Sequence, residues 1–174
     1  MRTEDAVRDR FDGVSFDYRA LETISHLFRT TSAIRNHFER EVLADHRLTW
    51  TGWVVLWVIW TWTDIECRDA ASEAGISKST LTGVVATLSS QGLVYRGRHP
   101  QDRRRVVLSL SESGHRLMTR LFPELNQRET EALSILSAEE RDQLSRTLSR
   151  LIDTLEPGSE PTTLDLRIEQ HTSA

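Results

Sequence analysis

The sequence predicts a mainly α-helical fold with one small β-hairpin. Its 174 residues include only 8 glycines and 4 prolines, so few positions favour tight turns. Apolar residues recur at helical spacing over most of the chain, and only two short runs, 93–95 and 106–110, have β character. With 38% hydrophobic and 28% charged residues, a chain of this length can form a core without metal or disulfide support.

Cysteine usage and hydropathy predict a cytoplasmic protein without a membrane segment. Cys67 is the single cysteine and cannot form an internal disulfide, which favours a reducing compartment and a buried structural role. No apolar signal stretch is visible near the N-terminus. The apolar run 53–62 has only ten residues, whereas a membrane-spanning helix needs about 20. A buried core helix explains it better.

The N-terminal third is predicted to contain two helices. Residues 1–17 are polar and are expected to form a flexible arm, and residues 18–48 carry the first amphipathic pattern. Thr49 is a suitable N-cap for a second helix, which is apolar around most of its circumference and therefore buried on several sides.

The middle of the chain has the pattern of a helix-turn-helix. A short helix over 68–74 ends at Gly75, which favours the left-handed C-cap conformation, and Ser77 caps the next helix. That helix has a core-facing stripe and stops at Gly92; the stripe comprises Leu81, Val84, Val85 and Leu88. A helix, a glycine-containing turn and a second helix can place the second helix in a DNA groove.

The hairpin that follows has a basic tip. Turn-forming residues 99–102 separate the two β runs, and residues 94–105 contain five arginines and one acid, a local charge of +4. The whole chain has a net charge of −4, from 22 basic and 26 acidic residues. A local patch can still attract phosphate, because charges beyond a Debye length of about 10 Å are largely screened.

Two further helices are predicted before the C-terminus. Ser111 caps the first, in which Pro123 is expected to cause a kink or an offset. Residues 137–140 form a capping-box pattern at the start of the second. Its apolar face consists of Leu144, Leu148, Leu151, Ile152 and Leu155. The tail 157–174 is expected to be weakly ordered.

These motifs, in this order, resemble the MarR family of bacterial regulators from about Leu21 to Leu155. The family pattern is matched by Gly75-Ile76-Ser77, Gly92-Leu93-Val94, Pro100-Gln101-Asp102-Arg103-Arg104 and Leu110-Ser111-Glu112-Ser113-Gly114. The resemblance implies a winged helix-turn-helix DNA-binding domain at 49–110. It also implies an intertwined homodimer formed by dimerisation helices at 18–48 and 111–156. Family members often carry a large polar residue in place of Gly52 and Arg in place of Gly83.

The resemblance also implies a function. Members bind double-stranded DNA at a pseudo-palindromic operator, and repression is the family default. Many are released from DNA by a small aromatic or phenolic effector. We therefore expect this chain to be a sequence-specific transcriptional regulator. Its DNA contacts are expected on the second helix of the motif and on the β-hairpin, which forms the wing of the domain.

The predicted DNA contacts fall into two groups. On the exposed helix face they are Ser77, Lys78, Ser79, Thr80 and Thr82. At the wing they are Arg98, Arg103, Arg104 and Arg105, which can contact phosphates, or one of which can enter a narrow minor groove. By family analogy, Asp102 pairs with an arginine and braces the wing. The alternative is an ordinary solvated helix face and charge cluster.

Four tryptophans, at positions 50, 53, 57 and 60, form one stripe of the second helix, while Trp62 points elsewhere. One interpretation is aromatic packing at the dimer interface. The other is a pocket for a flat apolar effector, lined by Trp53 and Trp57 and anchored by His26 or Arg35 on the first helix.

Other functional classes find less support. The chain has no glycine-rich phosphate loop, G-x-S-x-G, H-E-x-x-H or C-x-x-C motif, so we predict that it is not an enzyme and uses no cofactor. Its six histidines lack metal-ligand spacing, so no metal site is expected. The remaining alternative is a winged-helix module that contacts proteins without binding specific DNA, which salt-sensitive duplex binding would distinguish.

Overall fold

The computed structural model describes residues 15–98 and 105–155. The predictions for the arm before residue 15, the tip of the wing and the tail after residue 155 lie outside these ranges. Helices α1 (Tyr18–Phe38), α2 (Trp50–Trp62), α3 (Cys67–Glu73), α4 (Lys78–Ser90), α5 (Glu112–Ala132) and α6 (Ala138–Leu155) accompany strands β1 (Ile65–Glu66), β2 (Val94–Arg98) and β3 (Val106–Leu110). The chain divides into two compact units after Leu125.

The core of the first unit is built around α2. Val55 and Leu56 of this helix are fully buried, as the apolar circumference of its sequence predicted. Trp53 and Trp60 pack against the ring of Phe122 in α5, with centroid distances of 6.4 and 5.3 Å. Trp50 contacts the ring of Phe38 at 5.9 Å. Much of the tryptophan stripe is thus core packing within one protomer.

The predicted hairpin is present, and a third strand extends it. Strands β2 and β3 pair antiparallel, with Val94 opposite Leu110 and Arg98 opposite Val106. The short strand β1 pairs antiparallel with the other edge of β3, which gives the order β1-β3-β2. Strand β1 was not predicted, because two residues are too few to show an alternating pattern.

The predicted caps are confirmed. The hydroxyls of Thr49, Ser77, Ser111 and Ser137 each accept a hydrogen bond from the backbone N–H three residues later, at 2.9–3.2 Å. Gly75 and Gly92 have φ values of 61° and 71°, the left-handed conformation expected after a helix. These local signals place the ends of the helices that position the site.

Two helix boundaries differ from the predictions. The first helix does not run unbroken to residue 48: α1 ends at Phe38 and is followed by a π-helical turn, Glu39–Leu43, and a 3-10 turn, Ala44–His46. The short helix predicted over 68–74 is α3, shifted by one residue. Helix α5 runs from Glu112 to Ala132 with Pro123 inside it, and the kink or offset expected at Pro123 stays a prediction.

The second unit contains the capping box and α6. The Ser137 N–H donates to the Glu140 carboxylate at 2.8 Å, and the Glu140 N–H donates to the Ser137 hydroxyl at 3.2 Å. No residue of α6 is buried. Within the described ranges, no helix is both long enough and apolar enough to cross a membrane.

Candidate nucleic-acid interface

The N-terminal end of α4 presents a cluster of hydroxyl groups. The Ser77 hydroxyl accepts the Thr80 N–H at 3.1 Å and lies 2.9 Å from the Ser79 hydroxyl and 2.8 Å from the Thr80 hydroxyl. All three residues are exposed. The cluster therefore offers hydrogen-bonding groups to a partner at the positive end of the helix dipole.

Opposite faces of α4 have different environments. Leu81, Val85 and Leu88 are buried in the core, as predicted, while Val84 of the same stripe is half-buried. Lys78 and Thr82 lie on the exposed face, and the Thr82 hydroxyl donates to the Lys78 carbonyl at 2.9 Å. Helix α4 contains no acidic residue. Its exposed face therefore combines a cation with small polar side chains and no repelling carboxylate.

The base of the wing carries two of the predicted contacts. Arg98 is exposed at the end of β2, opposite Val106. The Arg105 guanidinium forms an ion pair with the Glu66 carboxylate of β1. Arg105 is thus held at the base of the wing by an acid that the sequence analysis missed. The predicted contacts Arg103 and Arg104, and the predicted brace Asp102, lie outside the described residues.

The predicted effector residues occupy different environments. Trp53 is only 4% exposed and stacks with Phe122, and Trp57 is half-buried beside the same core. His26 and Arg35 are exposed on α1, and neither side chain is hydrogen-bonded to another described residue. The two clefts whose lining residues fall within 47–91 and within 147–154 include none of these four residues, and the effector pocket stays a prediction.

A cleft of about 260 Å³ separates the start of α2 from the exposed side of α4. We call it the glycine cleft, because Gly52 and Gly83 both line it. Leu48, Val84 and Leu88 supply its apolar lining. Its polar lining comes from Arg47, Thr49, Thr87 and Gln91. Both glycines stood out in the sequence as departures from the family pattern, but only the fold shows that they line the same space.

The carboxylate of Glu39 also contributes to this region. It accepts the N–H of Trp50, the first residue of α2, at 2.6 Å. Glu39 belongs to the π-helical turn that interrupts the predicted first helix. This contact connects the segment after α1 to the start of α2, and no local sequence signal predicted it because the partners lie eleven positions apart.

Metal binding finds no support in the described part of the chain. Within residues 15–98 and 105–155, no group of three or more histidine, cysteine, aspartate or glutamate side chains could hold a metal ion. Cys67, expected to be buried, is half-buried at the start of α3, where it packs against the core. The chemistry available at α4 and the wing is hydrogen bonding and charge attraction.

Comparisons with known proteins agree with this architecture. The model of the MarR family matches residues 48–106. An uncharacterised HTH-type transcriptional regulator of Bacillus subtilis, YwaE, is 30% identical over 81% of this chain and 82% of its own length. The homoprotocatechuate degradative operon repressor of Escherichia coli is 25% identical over 72% of this chain and 84% of its own length.

Solved structures show the same fold. The crystal structure of NadR in complex with 4-hydroxyphenylacetate is similar at 27% sequence identity and a TM-score of 0.62, covering 72% of this chain and 89% of NadR. The family and these relatives are transcriptional regulators, not enzymes. From the family match, the extent of the similarity to YwaE and the capped recognition helix beside a wing, we conclude that the chain belongs to the MarR family of transcriptional regulators.

Proposed function

We propose that this protein is a homodimeric repressor that binds a pseudo-palindromic operator in double-stranded DNA. The observation that carries the proposal is the exposed, acid-free N-terminal half of α4, with its hydroxyl cluster and Lys78. A helix with such an end can enter a major groove and donate to phosphates at its rim. A cytoplasmic location accompanies this function.

Each contact group has a distinct role in the proposal. Lys78 and the hydroxyls of Ser77 and Thr80 hold phosphates, while Ser79 and Thr82 contact base edges. At the wing, Arg98, Arg103 and Arg104 neutralise backbone phosphates. Arg105 braces the wing through its ion pair with Glu66. Only the guanidinium N–H groups that are not bonded to Glu66 contact DNA.

Exposed apolar side chains on α1 and α6 support the dimer. On α1, Ile24 is 61% exposed and Phe28 is 74% exposed. On α6, the predicted apolar stripe from Leu144 to Leu155 remains exposed in the protomer. Burying such faces is favourable by about 25 cal/mol per Å² of apolar area, and the second copy of the chain is the occupant that we propose. Two copies would present two α4 helices to successive half-sites about one helical turn apart.

An aromatic effector is the second part of the proposal. It is supported by the E. coli relative named for homoprotocatechuate degradation and by the NadR structure that contains 4-hydroxyphenylacetate. The proposed contact set is the half-buried Trp57 and the buried Trp53, together with His26 or Arg35. Titrating 4-hydroxyphenylacetate should quench tryptophan fluorescence and release DNA. Ligand binding unchanged by Trp57→Leu, or unchanged by both His26→Ala and Arg35→Ala, would contradict this contact set.

A salt titration tests the DNA-binding proposal. Genomic duplex fragments, including DNA that flanks the protein's own gene, are titrated at several salt concentrations with wild type and Lys78→Ala. Selective binding should weaken steeply with salt, and Lys78→Ala should reduce the slope of log K against log salt by about 0.9 per protomer for the lost phosphate contact. Arg120→Ala, which removes an exposed cation on α5, is the matched control. No selective binding by a folded wild-type dimer would contradict the proposal.

A further inference from the structure

Gly83 lies in the interior of α4, and no contact within the chain requires glycine at this position. Glycine destabilises a helix interior relative to alanine, because it loses more backbone entropy on folding. A Cβ atom at Gly83 would meet no heavy atom within 4 Å, and its backbone is not left-handed. Gly114 is a useful contrast, since a Cβ there would collide with the Leu93 carbonyl. The protomer requires glycine at 114 but not at 83.

The glycine cleft shows what the missing side chain leaves open. Gly83 forms one side of the cleft and is exposed, whereas Gly52 on the α2 side is buried. A Cβ at Gly52 would lie 3.3 Å from the Thr49 hydroxyl oxygen, so the helix cap already disfavours a side chain there. The volume of about 260 Å³ is below the ~300 Å³ at which small-molecule pockets begin. It therefore suits a group that projects from a larger molecule.

The polar groups of the cleft favour an anion. Arg47 is exposed, and no acidic side chain lies within ion-pair distance of it among the residues that the structure describes. Its φ of 55° is unusual for a non-glycine residue, and the Gln91 side-chain amide donates to its carbonyl at 3.2 Å. The Thr49 hydroxyl accepts the Gly52 N–H and keeps its own proton to donate. The Trp50 N–H is already bonded to Glu39, and the Thr87 hydroxyl donates to the Gly83 carbonyl. The donors left in the cleft are the side chains of Arg47 and Thr49 and the second N–H of the Gln91 amide.

We propose that the glycine cleft seats one deoxyribose–phosphate unit of the bound operator. The sugar lies against Val84, Leu88 and Leu48, and the absent side chain at Gly83 admits it. The phosphate receives hydrogen bonds from Arg47 and Thr49. This inference rests on the proposed DNA-binding function, because Gly83 directly follows Thr82 on the face of α4 that is proposed to enter the groove.

The central test fills the cleft and follows both stability and binding. Gly83→Leu should raise the melting temperature by about 2–4 °C, because it removes an unneeded helical glycine. It should nevertheless weaken operator binding at least tenfold. Gly83→Ala should raise the melting temperature at least as much, because alanine is the better helix former, and should weaken binding less. Thr119→Leu adds a similar side chain to the exposed face of α5 and should leave affinity unchanged.

Two further measurements distinguish binding of the DNA backbone in the glycine cleft from a general steric clash between α4 and the operator. Among the sugar positions that wild type protects from hydroxyl-radical cleavage in each half-site, one should become reactive with Gly83→Leu while the others stay protected. Arg47→Gln should lower the salt slope by about 0.9 per protomer, and Arg47→Lys should restore it. Sugar protection and the salt slope both report on contact with the DNA backbone. If Gly83 and Arg47 had only a structural role, neither readout would change in this way.

The outcomes distinguish failure of the proposed sugar–phosphate site from failure of the proposed DNA-binding function. If wild type binds no duplex selectively, the proposed function fails. If wild type binds and Gly83→Leu binds equally well, only the seating fails. The seating is also overturned if Arg47→Gln keeps the wild-type salt slope, or if every sugar position that wild type protects stays protected with Gly83→Leu. Should Gly83→Leu fold poorly, Gly83→Ala and Arg47→Gln decide by the same criteria.

Discussion

Helices α2 and α6 differ in whether their apolar residues are buried. Helix α2 has no clear polar face, and Val55, Leu56 and Ile59 are almost completely buried inside one protomer. Helix α6 has a well-defined apolar stripe, yet none of its residues is buried. A continuous apolar surface here indicates a helix at the centre of the protomer. A stripe on a charged helix indicates only that something must cover it, and we propose that a second copy does so.

The largest expected effect is a core substitution in α2. Leu56 is fully buried, so Leu56→Ala should destabilise the protein by about 2–5 kcal/mol through lost apolar burial and a residual cavity. Phe28→Ala removes a larger side chain that is 74% exposed in the protomer, and should affect stability only through dimerisation. Chemical unfolding at several protein concentrations measures both. Equal, concentration-independent losses for the two variants would break the distinction between core and covered face.

A charge on the α6 stripe should break the dimer with less effect on the fold of each protomer. Leu148→Asp places a carboxylate in each half of a symmetric interface, so self-association should weaken at least ~100-fold, from about 1.5 kcal/mol or more per side chain. Ser149→Asp adds the same charge beside the stripe and is the matched control. Sedimentation measures the association; a Leu148→Asp protein that remains as dimeric as the control would exclude this face as the interface.

A smaller effect is expected at the base of the wing. The Glu66 side chain is 21% exposed and its partner Arg105 is 50% exposed, so solvent screens their attraction. Glu66→Gln should therefore cost no more than about 1 kcal/mol of stability. It should also free Arg105 to contact DNA and steepen the salt dependence of binding. A double-mutant cycle with Arg105→Gln isolates the pair, and zero coupling would remove its role as a brace.

The smallest effect concerns the capping box that begins α6. The Ser137 backbone N–H, and then its hydroxyl, hold the pKa of the exposed Glu140 carboxyl below its usual 4.5. Because the pKa is lower in the folded state, the stabilisation is present above pH 4.5 and is lost as the pH falls through the folded value. Melting temperatures of wild type and Glu140→Gln should differ at pH 7 and converge as the pH falls well below 4.5. A difference that persists at low pH would contradict this origin.

Much of the fold was predictable because its signals are local. The caps at Thr49, Ser77, Ser111 and Ser137 each involve residues three positions apart, and each was confirmed. The core stripe of α4 also followed from periodicity alone. Strand β1 and the π-helical turn escaped prediction, because neither has a pattern long enough to differ from its surroundings.

The candidate site was predictable only in outline. The exposed residues of α4 were expected, and their exposure is seen. The partner of Arg105 was not expected, because Glu66 is 39 positions away and becomes its neighbour only when β1 pairs with β3. The tryptophan stripe allowed either packing or a ligand pocket, and for Trp53 the fold provides packing through Phe122.

The sequence by itself determined the helix-turn-helix, its caps, the basic hairpin and the family, since these depend on residue types at short, fixed spacings. Only the tertiary structure decided which charges pair, which aromatic rings touch and that Gly52 and Gly83 line one cleft. The reason is physical: a cap or a stripe is set by the geometry of one helix. A contact between distant segments depends on how all the segments pack together, and the sequence of one segment alone does not determine that packing.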